Sequence, residues 1–486
     1  MARSVVTIDD LLDEEIEAVF QLADRFLGDM ADPQREYRVT GKNTLGGNHI
    51  LATVFYEPST RTRLSFESAM LRMGGSCLSS ADGKTTSAAK GETIADTVRV
   101  VENYADLIVI RHPLEGAARV AAEFTNVPVI NAGDGGHEHP TQTLCDLYTL
   151  RAAQKQKHGK GGIESLRDLN VVVWGDLYHG RTVHSLAYAL ARFNARIIPL
   201  AAPGCEFPDH VKRRLARDYN CHPLSKSEID EFPDDALPAD MLYVTPDKPH
   251  QLALVPDVWF RLSDAQQKAI RGIRTVDAFY STRLQLERFG GDEAIANYPI
   301  IDAKFLNAKK YKNTQILHPL PRVDELSYEI DRDPRGAYFK QASFGVPVRM
   351  ALIAALLELQ PGILQSSDFD ALGKHQIYTY PAGINCHNPQ CITNDKAEQR
   401  HLTCKFWIVE KEPLTIRCEY CDWEQRPAVV SRQTTQMYTT NTADYSRVEP
   451  NDLVLFRTER DAVEAGHTKG LQSPEDDTVA KRSAVQ

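Results

Sequence analysis

The sequence lacks any run of 18 or more apolar residues, and its first residues, MARSVVTIDDLLDEE, lack the basic-then-apolar order of a secretory signal. Both absences favour a cytoplasmic protein without a membrane-spanning segment. The 486 residues carry a formal net charge of -10, which argues against general binding to nucleic acids or membrane surfaces. We therefore expect any anionic ligand to be bound by a local cluster of arginine and lysine.

Cysteine is sparse in most of the chain and concentrated in one segment. Four of the nine cysteines are scattered through the first 221 residues, whereas five lie between residues 386 and 421. In a reducing compartment such crowding favours a metal site over disulfides. The spacings C-x4-C and C-x2-C predict a structural zinc held by Cys386, Cys391, Cys418 and Cys421. His387 and His401 remain alternative ligands, and Cys404 is interpreted as a buried spare thiol.

The stretch that is best suited to bind an anion contains no glycine-rich phosphate loop. Residues 50–55 are apolar and predict a buried strand, and the apolar spacing from Phe66 to Met73 predicts a helix. The residues STRTR, 59–63, lie between them and place hydroxyl and guanidinium groups at a helix N-terminus, which favours anions. A capped surface helix with two solvated arginines is the alternative.

Strand and helix patterns repeat on both sides of a Lys- and Gly-rich connector, QKQKHGKGG. The predicted fold is α/β, with two doubly wound parallel-sheet domains facing a cleft and a small C-terminal β-rich zinc domain. The predicted domains are 1–154, completed by a helix at 346–360, then 155–345, 366–430 and a polar tail at 431–486. Residues 246–274 have no assignment, and residues 76–93 are interpreted as a loop.

Seven motifs in order resemble the aspartate carbamoyltransferase family. They are YEPSTRTRLSFESAM, SAAKGET, VIRHP, GHEHPTQTL, GDLYHGRTVHSLA, YSTRLQLER and HPLPRVDEL, and the resemblance covers about residues 9–360. It implies carbamoyl transfer from carbamoyl phosphate to L-aspartate in pyrimidine (UMP) biosynthesis. It also implies that the transfer needs neither a catalytic metal nor an organic cofactor.

The resemblance further implies a role for each matching residue. Carbamoyl phosphate would be bound by Ser59, Thr60, Arg61, Thr62, Arg111, His139, Gln142 and the backbone carbonyls of Leu320 and Pro321. Aspartate would be bound by Lys90, Arg181, Arg283 and Gln285. The groups expected to act on the reacting atoms are Arg61, Thr62, Arg111, His139 and Lys90. Ser87 and Lys90 match a loop that reaches into a neighbouring subunit's site, which implies a catalytic trimer.

The segment NCHNPQCITN and the later RCEYCD resemble the zinc domain of the regulatory chain of the same family, here fused to a catalytic chain. The nucleotide-binding domain of that regulatory chain has no recognisable counterpart. Two other functions remain open at this point. One is carbamoyl transfer to another amine such as ornithine, and the other is a non-catalytic chain whose zinc ribbon binds nucleic acid or protein.

Overall fold

The structure is a computed structural model of the 486-residue chain. It describes residues 2–31, 44–80, 90–159, 161–178, 181–201, 204–231, 239–245, 273–283, 300–323, 325–365, 377–379, 384–411, 414–431, 436–438, 453–456 and 459–469. Ser87, Gln285 and residues 246–272 of the unassigned segment lie outside these ranges. Within them, no helix is both long and apolar enough to cross a membrane.

The first domain is a four-stranded parallel sheet covered by helices. Its elements are α1 Asp13–Ala31, β1 Ile50–Phe55, α2 Thr60–Arg72, β2 Ser76–Ser80, α3 Ile94–Val101, β3 Leu107–His112, α4 Ala117–Glu123, β4 Val129–Asp134 and α5 Pro140–His158. The strand order is β2-β1-β3-β4, and every pair is parallel. Because β1 and β3 are inner strands, their apolar residues are buried on both faces.

Strand β2 corrects the interpretation of residues 76–93 as a loop. Its sequence, SCLSS, is mostly polar and lies at the edge of the sheet, paired in parallel with β1. An edge strand has one neighbour and partly exposed faces, so it needs no apolar pattern. The prediction was therefore wrong at residues 76–80.

The second domain is a five-stranded parallel sheet of order β6-β5-β7-β8-β9. Its elements are β5 Asn170–Gly175, α6 Arg181–Arg192, β6 Arg196–Ala201, α7 Asp209–Tyr219, α8 Lys226–Asp230, β7 Met241–Thr245, β8 Ala278–Ser281, α9 Ala303–Leu306 and β9 Gln315–Leu317, and the long helix α10 Tyr338–Leu356 follows them in the chain. The predicted pair of parallel α/β domains is confirmed. Helix α5 continues four residues past the predicted boundary at 154, to a left-handed Gly159.

Helix α10 returns to the first domain, as predicted, and packs against α1, α2 and α5. It begins at Tyr338 rather than near residue 346, and Pro347 lies inside it. Proline normally disfavours a helix interior. Here every residue from 347 to 356 is buried, and this packing offsets that cost.

The C-terminal part is β-rich. The strands β10 Ile377–Thr379, β11 Lys405–Lys411, β12 Leu414–Cys418 and β13 Glu424–Gln425 form an antiparallel sheet. The residues that follow form a second small sheet from β14 Ala428–Ser431, β15 Gln436–Tyr438, β16 Leu453–Phe456 and β17 Thr468–Lys469, with helix α11 Glu459–Glu464. Strands β14, β15 and β17 are too short to show a period in the sequence.

The first antiparallel sheet and its cysteine segments form the metal-binding domain, which packs on the outer side of the first domain. Its buried Phe406 and Tyr420 belong to the same hydrophobic cluster as Val98 and Ala117. The Glu115 amide donates to the Gln390 carbonyl at 2.9 Å, and the Glu115 carbonyl accepts from the Ile392 amide at 2.8 Å. This apolar and backbone contact holds the two domains together.

Candidate active site

A cavity of about 450 Å³ lies between the two α/β domains, where their strands end. Its lining comes from the segments after β1, β4 and β9, and from Thr282 and Arg283 after β8. The carboxyl ends of parallel strands are where α/β sheets bind ligands. All nine residues predicted for carbamoyl phosphate line this cavity: Ser59, Thr60, Arg61, Thr62, Arg111, His139, Gln142, Leu320 and Pro321.

The first turn of α2 supplies an anion-binding end to this cavity. Ser59 is the N-cap residue, and its side chain makes no capping hydrogen bond. Ser59, Thr60 and Thr62 therefore present hydroxyls beside the N–H groups of the helix N-terminus. Arg63 differs from the predicted pattern, because its guanidinium donates to Ser79 Oγ at 3.0 Å and is absent from the cavity lining.

Three arginines, Arg61, Arg111 and Arg283, converge on the cavity, and two of them disfavour the charge of Arg61. Burial lowers the pKa of Arg61, and the charges of Arg283 and Arg111 lower it further. Burial also lowers the pKa of Arg111, against the opposing effect of Glu57, whose Oε2 lies 3.4 Å from Arg111 Nη2. Crowded, partly desolvated guanidinium groups favour a bound anion.

The backbone around Arg111 and Arg61 fits these side chains closely. Arg111 Nη1 donates to the Ala132 carbonyl at 3.1 Å. A Cβ atom at Gly133 would lie 2.9 Å from that same nitrogen, and the φ of Gly133 is 113°, so only glycine suits this position. Arg61 Nη2 donates to the Leu320 carbonyl at 2.7 Å, which links the first domain to the second.

His139 and Gln142 lie at the start of α5. His139 is its N-cap residue and Pro140 follows at the first helical position, so the ring is placed at the cavity by the helix start. Gln142 Nε2 donates to Asp146 Oδ1 at 2.8 Å, which leaves Gln142 Oε1 as the free acceptor. Burial raises the pKa of the Asp146 carboxyl to about 6, and hydrogen bonds from Gln341, Gln142 and Tyr280 oppose that shift.

The structure describes only some of the residues that are predicted to bind aspartate. Arg283 lines the cavity, and Arg181 is the first residue of α6, although its side chain is outside the described structure. Lys90 is exposed and is not among the described residues that line the cavity. Ser87 and Gln285 lie outside the described residues.

Several cavity residues were missed by the sequence analysis, and Arg349 is the clearest. It lies in the apolar helix α10, donates to Ser65 Oγ at 3.0 Å and to Thr141 Oγ1 at 3.3 Å, and stacks on Phe66. A single buried charge in an apolar helix is a signal that could have identified it. His318 is also buried, with Nε2 at 2.8 Å from Glu325 Oε1, while its Nδ1 accepts from the Leu320 amide at 2.9 Å.

A second cavity, of about 610 Å³, adjoins the first and also touches the metal-binding domain. The two cavities share His137, Glu138 and Arg283 among their lining residues. Glu138 is 3% exposed, and neither of its carboxylate oxygens has a hydrogen-bond partner in the described structure. Burial raises the pKa of Glu138 to about 7, although Arg214 and His137 oppose the shift.

Replacing Glu138 by glutamine is expected to stabilise the protein at alkaline pH. The pKa of Glu138 is about 7 in the folded state, and its ordinary value is 4.5. The folded state therefore keeps the proton up to a higher pH than the unfolded state does, and the protein loses stability as the pH rises from 4.5 to 7. Glutamine does not ionise, so the advantage of Glu138→Gln should approach roughly 3 kcal/mol at about pH 8 and vanish near pH 4. Denaturant unfolding at several pH values measures this, with the exposed Glu464→Gln as control. An advantage independent of pH would contradict it.

The four predicted cysteine ligands form one cluster. Their Sγ atoms all lie within 4.8 Å of one another, with Cys386 and Cys421 at 3.5 Å and Cys391 and Cys418 at 3.9 Å. All four side chains are buried, and in the described structure the cluster includes neither histidine nor Cys404. Asn394 supports the first cysteine pair by donating to the Cys386 carbonyl at 2.9 Å. The four sulfurs fit a tetrahedral metal site.

Three family profiles match this chain. Residues 3–152 match the carbamoyl-P binding domain of aspartate/ornithine carbamoyltransferases, and residues 254–356 match the Asp/Orn binding domain of the same family. Residues 377–429 match the metal binding domain of the aspartate carbamoyltransferase regulatory chain. The chain thus combines domains of catalytic and regulatory chains.

Individual relatives agree with these matches. The aspartate carbamoyltransferase catalytic subunit of Picrophilus torridus is 41% identical over 359 residues, covering 73% of this chain and 98% of the relative. That of Clostridium acetobutylicum is 40% identical over 360 residues, with the same coverage.

Solved structures also resemble this chain. The catalytic subunit of M. jannaschii aspartate transcarbamoylase matches with a TM-score of 0.53 and 36% identity, over 74% of this chain and 99% of the other. Aspartate transcarbamoylase from Trypanosoma cruzi, in complex with carbamoyl aspartate and phosphate, matches with a TM-score of 0.52 and 29% identity, over 72% and 94% of the two chains.

Proposed function

The chain belongs to the aspartate carbamoyltransferase family, and we propose that the cavity between its two α/β domains is the site of carbamoyl transfer. The enzyme transfers the carbamoyl group of carbamoyl phosphate to the amine of L-aspartate, giving N-carbamoyl-L-aspartate and phosphate. This is a reaction of pyrimidine biosynthesis. The observation that carries the assignment of the site is the convergence of Arg61, Arg111 and Arg283 on one cavity between the domains.

The phosphate group of carbamoyl phosphate binds at the first turn of α2. Ser59, Thr60 and Thr62 donate hydrogen bonds from hydroxyls and Arg61 supplies the charge, since all four lie at this end of the cavity. The lowered pKa of Arg61 supports this role, because a dianionic phosphate relieves the crowding of like charges. A helix N-terminus adds the partial positive charge of its dipole.

The carbamoyl group lies beside His139 and Arg111. Thr62, Arg111 and His139 donate to its carbonyl oxygen, whereas Gln142 Oε1 and the carbonyls of Leu320 and Pro321 accept from its amide. The hydrogen bond from Gln142 to Asp146 supports this orientation, since it holds the Gln142 nitrogen towards Asp146 and so turns Oε1 away from that carboxylate. Donors held in place before the reaction stabilise charge as it develops.

Aspartate binds on the second-domain side through Arg181, Arg283 and Gln285, with Lys90 contributed by a neighbouring subunit. Its neutral amine attacks the carbamoyl carbon, a C–N bond forms and the C–O bond to phosphate breaks. The departing phosphate accepts the proton released by the amine. Holding both substrates in one cavity supplies much of the rate enhancement, because the reacting atoms are already aligned.

The four-cysteine cluster holds a structural zinc. A zinc–sulfur bond of about 2.3 Å places the sulfurs of a tetrahedron about 3.8 Å apart. The observed distances of 3.5 and 3.9 Å match that spacing, and four thiolates leave no position for water. A cytoplasmic location suits a site of reduced thiols.

The enzyme assembles as a homotrimer with shared active sites. Leu64 and Leu71 lie seven residues apart on one face of α2 and are 50% and 52% exposed, and Leu78 on the edge strand β2 is 46% exposed. Such an apolar surface favours contact with another subunit. Lys90 follows that strand in the chain and is exposed, as a residue donated to a neighbour must be before assembly. Light scattering at assay concentrations tests the trimer.

Replacing His139 by alanine is expected to lower kcat by a hundredfold or more, because one aligned donor to the developing oxyanion is lost. The assay follows N-carbamoyl-L-aspartate formed from carbamoyl phosphate and L-aspartate. His139→Gln retains a donor and should lose less activity. Full turnover in His139→Ala would contradict the role of His139. Product from L-ornithine, but none from L-aspartate in the wild type, would overturn the proposed substrate.

A further inference from the structure

A short segment of the metal-binding domain touches both α/β domains. This clamp segment, residues 418–424, contains the second cysteine pair and then Asp422, Trp423 and Glu424. Two of its residues are predicted metal ligands, so a bound metal would fix the backbone from which the acidic side chains project.

On the first-domain side, Asp422 contacts the loop that carries His139. Asp422 Oδ2 lies 3.0 Å from His137 Nε2, and His137 Nδ1 lies 3.0 Å from Asp134 Oδ2. Asp134 in turn accepts from the amides of Gly116 at 2.8 Å and Glu138 at 3.2 Å. The His137 side chain is only 5% exposed, so the ring is held on both nitrogens within a buried network.

On the second-domain side, the same carboxylate oxygen contacts helix α7. Arg214 Nη1 donates to Asp422 Oδ2 at 3.3 Å, while Arg214 Nη2 donates to Asp9 Oδ2 at 2.8 Å. Neighbouring pairs reinforce this contact. Glu424 binds Arg213 at 3.4 Å and also binds Arg217, and Arg417 binds Asp218 at 2.6 Å.

We propose that Asp422 is a positioning residue for aspartate use, because it binds His137 of the first domain and Arg214 of the second at once. This inference rests on the proposed function. Carbamoyl phosphate is bound mainly by the first domain, whereas aspartate is bound on the second-domain side and must reach the carbamoyl carbon that the first domain holds. A residue that sets the spacing of the domains therefore acts on the KM for aspartate more than on the binding of carbamoyl phosphate alone.

Asp422 can be replaced without leaving its two partners unpaired. Without Asp422, His137 retains Asp134 and Arg214 retains Asp9, so neither buried group is left without a partner. Energetic coupling of this kind commonly changes affinity by five- to 150-fold. For Asp422→Asn we expect the KM for aspartate to rise roughly tenfold, with kcat changed less than threefold.

The test uses the full-length, metal-loaded protein. Steady-state assays give kcat and KM for aspartate, calorimetry gives the Kd of carbamoyl phosphate without aspartate, and metal analysis and thermal unfolding report on the metal-binding domain. Asp422→Glu should recover most of the wild-type KM. Glu464→Gln, which alters an exposed ion pair in α11, is the matched control and should behave as wild type.

His137→Gln removes the same contact from outside the metal-binding domain and should raise the KM for aspartate similarly. An unchanged KM in His137→Gln overturns the proposal, even where Asp422→Asn loses metal. The proposal is also overturned if the Kd of carbamoyl phosphate rises in both variants by as much as the KM for aspartate, because the effect would then not be specific to aspartate. Absence of transfer by the wild-type protein would instead refute the proposed function.

Discussion

Arg61→Ala is expected to lower kcat/KM by roughly a thousandfold or more without lowering the thermal stability of the free protein. Arg61 lines the cavity at the proposed phosphate position and donates to the Leu320 carbonyl of the second domain at 2.7 Å. The substitution therefore removes both a charge for the phosphate and a link between the domains. Burial and the charges of Arg283 and Arg111 lower the pKa of Arg61, so its removal relieves repulsion in the unliganded site.

Arg63→Ala is the matched control for this experiment. Arg63 belongs to the same first turn of α2, but its guanidinium donates to Ser79 and lies 3.9 Å from Glu67, away from the cavity. We expect it to keep wild-type turnover. Arg61→Lys should recover only part of the activity, because lysine keeps the charge but loses the planar pair of donors. Equal activity losses in Arg61→Ala and Arg63→Ala would contradict a specific role for Arg61.

Cys421→Ser is expected to abolish metal binding and unfold the metal-binding domain. Structural zinc sites of this type supply on the order of 10 kcal/mol to the folding of small domains. Cys421 is 4% exposed and lies in the same hydrophobic cluster as Phe406 and Ile392, so its replacement affects both the metal and the core. Metal analysis should find about one zinc in the wild type and none in the variant. Hydrogen exchange should show loss of protection in β11 and β12.

Cys404→Ser tests whether this effect is specific. Cys404 is half-buried near the cluster but does not belong to it, so the variant should retain zinc and protection. Wild-type protein treated with a strong chelator should reproduce the exchange pattern of Cys421→Ser. Full protection of β11 and β12 after complete removal of metal would show that the domain does not depend on zinc.

Local sequence patterns identified most of the fold because they report on burial. Strands β1 and β5 are buried on both faces, and their continuous β-branched and apolar runs identified them. The C-x4-C and C-x2-C spacings identified the four-cysteine cluster because the geometry of metal ligation restricts which spacings fit. By contrast, the edge strand β2 and the short strands β14, β15 and β17 carry no such pattern, so they were not predicted.

The cavity residues divide in the same way. Arg61, Arg111, His139 and Gln142 belong to contiguous motifs at the ends of predicted strands. Arg349 has no local motif, and Glu138 lies within GHEHPTQTL without any pattern that marks it as buried, because the surroundings of both residues depend on helices and loops far apart in the chain. The same holds for Asp422, whose partners lie 208 and 285 residues away.

The sequence alone indicated the family, the two α/β domains, the four clustered cysteines and the polar groups that line the cavity, since each is encoded within short stretches of chain. Only the tertiary structure decided that three arginines share one cavity and that the buried carboxylate of Glu138 has no hydrogen-bond partner in the described part of the chain. It also decided that Asp422 joins both domains. These features depend on packing between segments that are distant in the chain, and a local sequence pattern does not predict such packing.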